Sequence, residues 1–398
     1  MAQLSNLTAG DASDETALLY LALTSGSDRN RKLALSTLIE RIRTKTQTLT
    51  NKTLDAATCE VPTAALTELY LLSRNILDNP HGVMAQRFSG GLFSGSLTVG
   101  DAAYGHDRWY ALVQTGNLTA TTLSNDGLHR FMRLTNAAGS AQRYGYAQIV
   151  EAAHVQGLRL RDIVLSAQVR CSAALTVRYA ILAWTGTADS VTKDVVNTWT
   201  STNFTTGNFF ASSNLTLLGT GATAIGANAV TPIDQLTVEV PSNANNLIVF
   251  LWTDSTVANG GTFDVAAQLE EGSWATPMEL RPVQIEELRC RRFYQVFGLD
   301  DAYSPMASGM CTSTSEVRVF RPLEPPMRSA PSMTHSGLAV IKSGGAHEAL
   351  TALSVDRVTT KGITLNGTVA ATPLLAGNAT ILIANNTAAG YLRLSADL

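Results

Sequence analysis

The sequence predicts a mainly β protein of several parts: a small N-terminal β/α module, a short helix, a β-sandwich and a C-terminal β domain. Three observations carry that expectation. Runs such as DRWYALVQ, LTVRYAILAW, NLIVFLWT and FDVAAQLE show strand periodicity, and Gly, Asn, Ser and Asp turns divide them at sandwich spacing. Charged residues make up 15% of the 398, against roughly 25% in ordinary soluble proteins, which suits a β-rich surface or a large subunit interface. Between Phe263 and Phe297 an alternating strand, the prolines Pro277 and Pro282, a short helix pattern and a new apolar run follow one another. Proline removes ladder donors, so one β domain closes there and another begins.

In chain order, residues 1–45 read as a module of their own. ALLYLALTSGSDRNRKLALS is strand, turn and strand, after which Thr37 and Glu40 have capping-box spacing and Leu35, Leu38, Ile39 and Ile42 form an apolar stripe. Residues 46–74 hold a thin Thr-rich strand, TQTLTNKTLDAAT, which cannot bury enough area alone, and a helix from Pro62 to Ser73. Leu66, Leu69 and Ile76 keep heptad-like spacing; a three-helix collar and a helix packed on the next domain both fit. Residues 75–282 form the sandwich, with the continuously apolar NLIVFLW as its central strand and Trp109, Trp184 and Trp252 in its core. Residues 283–398 begin with a helix over Val283–Arg292 that places Ile285, Leu288 and Arg292 on one side. A strand over Phe293–Phe297 follows, then SEVRVFRPLEPPMRSAPSMTHSG as a strand, a proline-rich corner and another strand, and four closing strands in LTALSVDRV, GITLNGTV, ATILIANN and YLRLSA. Asn385, Asn386 and Gly390 mark the last turn.

The chain offers little local chemistry. Cys59, Cys171, Cys290 and Cys311 lie far apart without metal-ligand spacing and read as buried free thiols. The six histidines lie singly, and no nucleophile elbow, phosphate loop or calcium loop is written. Glu270-Glu271 and Glu286-Glu287 are adjacent, so their side chains point apart on strand or helix and make no acid-base couple. These readings predict a non-enzyme with no catalytic residue, cofactor or metal. A net charge of -3 gives no footprint for nucleic acid, and the longest early apolar run, Ala17–Leu23, is too short to span a bilayer. No basic and apolar leader precedes a cleavage site. One stretch, NTWTSTNFTTGNFFASSN, sets Trp199, Phe204, Phe209 and Phe210 among Asn and Thr: either a platform for stacking a glycan or aromatic packing between sheets or subunits.

QLEEGSWATPMELRP followed by EELRCRRFYQVF resembles the end of the jelly-roll module of bacteriophage and prophage virion proteins. RNILDNPHGVMAQRF (Arg74–Phe88) is similar to that module's opening strand, with Ala85 near the place of its Trp and His81 and Gly82 in its Phe region. GHDRW (Gly105–Trp109) matches its A-D-R-W strand, and YAQIVEAAHVQGLRLRDIVLSAQVRC (Tyr146–Cys171) its R-Q-x-I-E segment and the strand beyond. Together the matches span about half the chain. The resemblance implies a jelly-roll sandwich like those of carbohydrate-binding modules, in a homotrimeric tail-fibre or appendage subunit made in the host cytoplasm and carried on the virion. It implies an N-terminal module that joins other virion proteins, a TLTNKTL shaft element, and contact with the host surface, including its glycans. A glycan-degrading tail spike and a carbohydrate-binding module without a virion role are the alternatives.

Overall fold

The computed structural model describes residues 74–398 except 89–94, 126–129, 300, 343 and 371–373, so the expected N-terminal module, shaft strand and collar helix lie outside the described residues. The sandwich strands are β1 (Ser96–Val99), β2 (Ala103–Tyr104), β3 (Tyr110–Val113), β4 (Leu118–Asn125), β5 (Arg130–Asn136), β6 (Tyr144–Val150), β7 (Asp162–Cys171), β8 (Leu175–Trp184), β9 (Leu215–Ile225), β10 (Thr231–Pro232), β11 (Leu236–Glu239), β12 (Asn246–Thr253) and β13 (Thr262–Glu271), with a one-turn helix α1 (Ala152–Val155) after β6. One sheet has the order β1-β4-β5-β13-β7-β10, with β11 also on β7; the other runs β2-β3-β6-β12-β8-β9. The chain changes sheet at β1–β2, β3–β4, β5–β6, β6–β7, β7–β8, β9–β10, β11–β12 and β12–β13, and the sandwich pairs are antiparallel, so the body is a jelly-roll sandwich.

The central-strand expectation holds for β12 because the strand is covered on both faces. Leu247, Val249 and Leu251 lie between the sheets with Trp109, Tyr146, Ile181 and Val265, while Ile248, Phe250 and Trp252 face the opposite way into a second apolar layer with Tyr110, Leu182 and Trp184. Period two puts alternate residues on opposite faces, so only a strand buried twice is written without polar positions. β13 departs from its one-sided pattern. Phe263, Val265, Ala267 and Leu269 point inward, yet Asp264, Gln268 and Glu270 on the outer face are buried too. Asp264 stands opposite Arg133 of β5 and Arg170 of β7 in register and bonds both, at 2.7 Å and 2.8 Å from their Nε atoms.

The entry segment, read from sequence as an opening strand, forms no strand. Residues 74–88 run as bends and turns, with Leu77, Met84, Ala85 and Phe88 fully buried. Pro80 lacks an N–H, and Asn79 and Gly82 take φ of +51° and +63°, which a ladder does not admit. Side-chain bonds replace the ladder, as described below.

Beyond the sandwich come α2 (Val283–Arg291) and the strands β14 (Tyr294–Gly298), β15 (Pro305–Cys311), β16 (Glu316–Pro322), β17 (Ser332–Ser336), β18 (Leu338–Ile341), β19 (His347–Thr359), β20 (Gly362–Val369), β21 (Ala379–Ala384) and β22 (Tyr391–Ser395). β14, β22 and β17 form a small sheet, and β15-β16-β20-β19-β18-β21 close into a barrel around Val317, Val319, Ile363, Leu365 and Leu382. The described residues form one compact unit. The α2 helix inverts the usual pattern: Glu286 and Cys290 are buried, while Ile285 and Leu288 are 44% and 51% exposed. Cys171, Cys290 and Cys311 are free and buried. Among the described residues, no helix is long and apolar enough to cross a membrane.

Gly145 of β6 lies beneath Trp252, and a Cβ there would sit 2.1 Å from the Leu251 carbonyl oxygen. Gly145→Ala is therefore expected to cost about 2–3 kcal/mol in urea unfolding. Gly157→Ala, where a Cβ would meet nothing within 4 Å, should stay within about 0.5 kcal/mol of the parent.

Candidate functional site

The segments singled out in the sequence meet in one buried joint between the sandwich and α2. Asn75 is held on every side: its Oδ1 accepts the N–H groups of Leu77 and Leu269, both at 3.1 Å, its Nδ2 donates to Ala267 O at 3.0 Å, and its N–H donates to Glu279 Oε2 at 2.7 Å. Asn79 closes the turn in the same way, donating from Nδ2 to Met84 O and Asp107 O and accepting the Met84 N–H. In the QLEEGSWATPMELRP run, Glu270 accepts both the N–H and the hydroxyl of Thr276 at 2.7 Å, and Gln268 Oε1 accepts the Glu279 N–H at 2.7 Å. Arg281 then reaches back to the carbonyls of Asn75 and Leu77, each at 2.6 Å, and to Glu286 Oε1 of α2 at 2.7 Å.

Asp78 is the centre of this joint. Arg108 Nε of the GHDRW segment donates to one of its oxygens at 2.9 Å, and Arg289 Nε of α2 to the other at 2.6 Å. Gln148 exchanges two hydrogen bonds with its backbone, each at 2.8 Å. Burial pushes the Asp78 carboxyl up, but the Arg108 and Arg289 guanidiniums outweigh it and bring it down to about 2. Burial also pushes the Asp107 carboxyl up, to about 6, against the pull of Arg87. Burial takes the His106 imidazole down to about 4, while its Nε2 lies 2.9 Å from the Thr121 carbonyl. The joint continues to the C-terminal strands: Arg87 pairs with Asp107 and Asp397 and lies 3.7 Å from the Tyr294 ring centre, Arg108 covers Phe293 at 3.5 Å, and Arg292 holds Glu151 at 2.5 Å. A cavity of about 220 Å³ beside it is lined by Pro80, His81, Val83, Leu280, Val283, Arg130, Arg281 and Glu286. Its Arg281 and Glu286 are already each other's partners, and the volume is below the usual range for ligand pockets. Chemically the arrangement holds charges in place; its carboxylates are occupied by arginines and backbone donors.

The four aromatics expected as glycan contacts lie in residues 185–214, the connection between β8 and β9, which folds across the outer face of the second sheet. Two of them take the packing alternative. Phe209 and Phe210 are buried: Phe209 is stacked on Trp252 at 5.1 Å and 16°, and Phe210 meets the same ring edge-on. Trp252 is also stacked with Phe250 at 4.6 Å, so the phenylalanines cover an apolar sheet face that would otherwise meet water. Trp199 and Phe204 remain half-buried. Trp199 meets Phe209 and Phe250 edge-on, and Phe204 has the Arg178 guanidinium 3.7 Å from its ring centre, with Arg178 paired to Asp254. Sequence carried a signal for this: a strand apolar on both faces needs a cover, and Phe209-Phe210 is the most apolar part of that connection.

No protein-family model matches the sequence, and no match is found among characterised proteins. Among solved structures the chain is similar to the paired carbohydrate-binding and catalytic modules of endo-1,4-β-D-xylanase 10B from Clostridium thermocellum, at 15% identity and a TM-score of 0.28, over 43% of this chain and 27% of that one. The N-terminal cellulose-binding domain of Cellulomonas fimi β-1,4-glucanase C gives 13% identity and a TM-score of 0.26, over 44% of this chain and 98% of that one. The enzymatically active domain of tailspike protein 4 of bacteriophage CBA120 gives 13% and 0.26, over 42% and 19%. The chain thus spans about a quarter of the xylanase and a fifth of the tailspike domain.

Asp78→Asn leaves two buried or half-buried arginines facing a neutral group and should cost about 3–5 kcal/mol of unfolding free energy. The pH response follows from the shifted groups. Asp78, lowered from 3.8, contributes stability above that value and loses it as pH falls toward about 2. His106, lowered from 6.5, contributes while neutral and loses that as pH falls from 6.5 toward about 4. Asp107, raised from 3.8, favours the folded state below that value and stops doing so as pH rises through about 6. The last two oppose each other between pH 4 and 6.5. Asp107→Asn should therefore steepen the loss on acidification, by on the order of 3 kcal/mol relative to the parent, in urea midpoints taken across pH 4–7.

Proposed function

We propose that the chain is a structural component of a phage virion, a subunit of a trimeric tail fibre or appendage that contributes to host-surface attachment. The observation that supports this reading is the joint itself. The segments that resemble a virion jelly-roll module converge there, and their polar side chains are used to hold the entry segment, the sandwich and the C-terminal strands in one relation. Such a body transmits force and presents surface, and its work needs no reactive group. The Thr-rich strand and the heptad-like leucines of residues 46–74 motivate the homotrimer, in which three copies and several fibres multiply weak contacts into useful avidity. Residues 1–45 are assigned to attachment on other virion proteins. On this reading the protein is not an enzyme, and its location is the virion.

A glycan contact belongs to the same reading, because Trp199 and Phe204 keep part of their surface in a loop rich in Asn and Thr. The full chain should behave as a trimer in light scattering at micromolar concentration, and a map of intact particles should show it at a three-fold position. A monomer in solution, or particles without the protein, would contradict the proposal.

A further inference from the structure

β13 ends at Glu271, and the next turn carries the GSWAT part of the motif. Its backbone is tied on both sides of Trp274. Gly272, at φ +132°, donates its N–H to Asp162 O at 2.8 Å; the Thr237 hydroxyl donates to Ser273 O at 3.1 Å; and the Ala275 N–H donates to Gln235 Oε1 at 3.0 Å. Thr276 is fixed by its two bonds to Glu270. The ring so anchored is 77% exposed, whereas Trp109, Trp184 and Trp252 are buried. The backbone that carries the ring has thus already lost conformational freedom that a ligand would otherwise have to remove.

A second feature stands on the neighbouring turn. Leu160 is 68% exposed and holds φ at +59°, a conformation that costs a residue with a side chain roughly 1–2 kcal/mol. That turn is joined to the Trp274 loop by the Arg161–Glu271 ion pair at 2.5 Å and by the Asp162–Gly272 bond. Strain together with outward apolar side chains is a mark of binding surfaces. The surroundings are polar: Gln235 uses its carbonyl oxygen on Ala275 and keeps its amide hydrogens, and Arg161 and Glu271 are each about half exposed.

We propose that Trp274 is the stacking platform of a glycan site, with Arg161, Gln235, Thr237 and Glu271 as its hydrogen-bonding rim and a neutral hexopyranose as its ligand. A pyranose presents an apolar C–H face to the ring and hydroxyls around its edge, which match the indole and the rim. A nucleobase would also stack, but its phosphates would come against the three carboxylates Asp162, Glu239 and Glu271, with Arg159 and Arg161 on the neighbouring turn and Arg161 already paired to Glu271. This site deepens the attachment reading by naming a ligand class, and it rests on that reading for its biological role only.

The test uses the full chain on an array of neutral hexose-containing glycans, with Trp274→Ala compared to Trp199→Ala and Phe204→Ala. Trp274→Ala should lower retention at least tenfold with the unfolding midpoint unchanged, and the bound glycan should shield Trp274 from acrylamide quenching in the parent. Retention unchanged by Trp274→Ala, or lost only in the other two variants, overturns the proposal. So does an absence of any retained glycan, or a parent whose self-association in sedimentation depends on Trp274, which would make the ring a protein contact. If particles contain the subunit but no glycan is retained, this inference fails alone; if Trp274-dependent retention is found for a protein missing from particles, the virion reading fails alone.

Discussion

Asp78 sits between two guanidiniums that arrive from different parts of the chain, Arg108 from the sandwich and Arg289 from α2. A carboxylate out of water is costly unless its oxygens are fully used, and here both are used by cations while its own backbone is bound to Gln148 and Trp109. The other polar contacts of the joint follow from that arrangement. The entry segment must lie where Asp78 can reach both arginines, Asn75 and Asn79 then fix its turns, and Arg281 and Glu286 fasten the start of α2 against it. The helix buries its charged side because that is the side the joint needs, which is why its isoleucine and leucine face outward.

The outer face of the second sheet obeys a different constraint. Ile248, Phe250 and Trp252 would expose a broad apolar surface, and the β8–β9 connection removes it from water with Phe209 and Phe210. With the face covered, Trp199, Phe204 and Tyr104 keep part of their ring surface in water. The braced Trp274 loop, by contrast, has no covering element over its ring among the described residues. The two places differ physically: in one the aromatics complete a core, in the other an aromatic is held in water by the loop beneath it.

Where the sequence was legible, local pattern sufficed. NLIVFLW announced a central strand, Pro282 announced α2, and the last four strands were visible as short apolar alternations ended by Asn and Gly. Where it was not, the deciding partner lay far along the chain. Asp264 and Gln268 look like solvent positions until Arg133, Arg170 and Glu279 come beside them. Residues 74–88 read as a strand because they resemble the opening strand of a jelly-roll module, yet their backbone is bound by carboxylates some 200 positions away. β15 and β18 were not anticipated: PMASGMC carries Gly309 where a Cβ would come 2.0 Å from the Arg318 carbonyl oxygen, so its packing demanded the residue that weakened its pattern. Trp274 was quoted as part of a motif, but its exposure could not be read from its neighbours.

The claim at the centre of this account is that the joint makes the sandwich and the C-terminal barrel one mechanical body. Native-state hydrogen exchange on the full chain, across a series of low urea concentrations, measures this most directly, using the buried strands β12 and β20 as reporters. The account predicts that the slowest amides of both strands open with the same free energy and the same urea dependence. Barrel amides that exchange through a separate opening, of lower free energy and smaller urea dependence than those of β12, would contradict it.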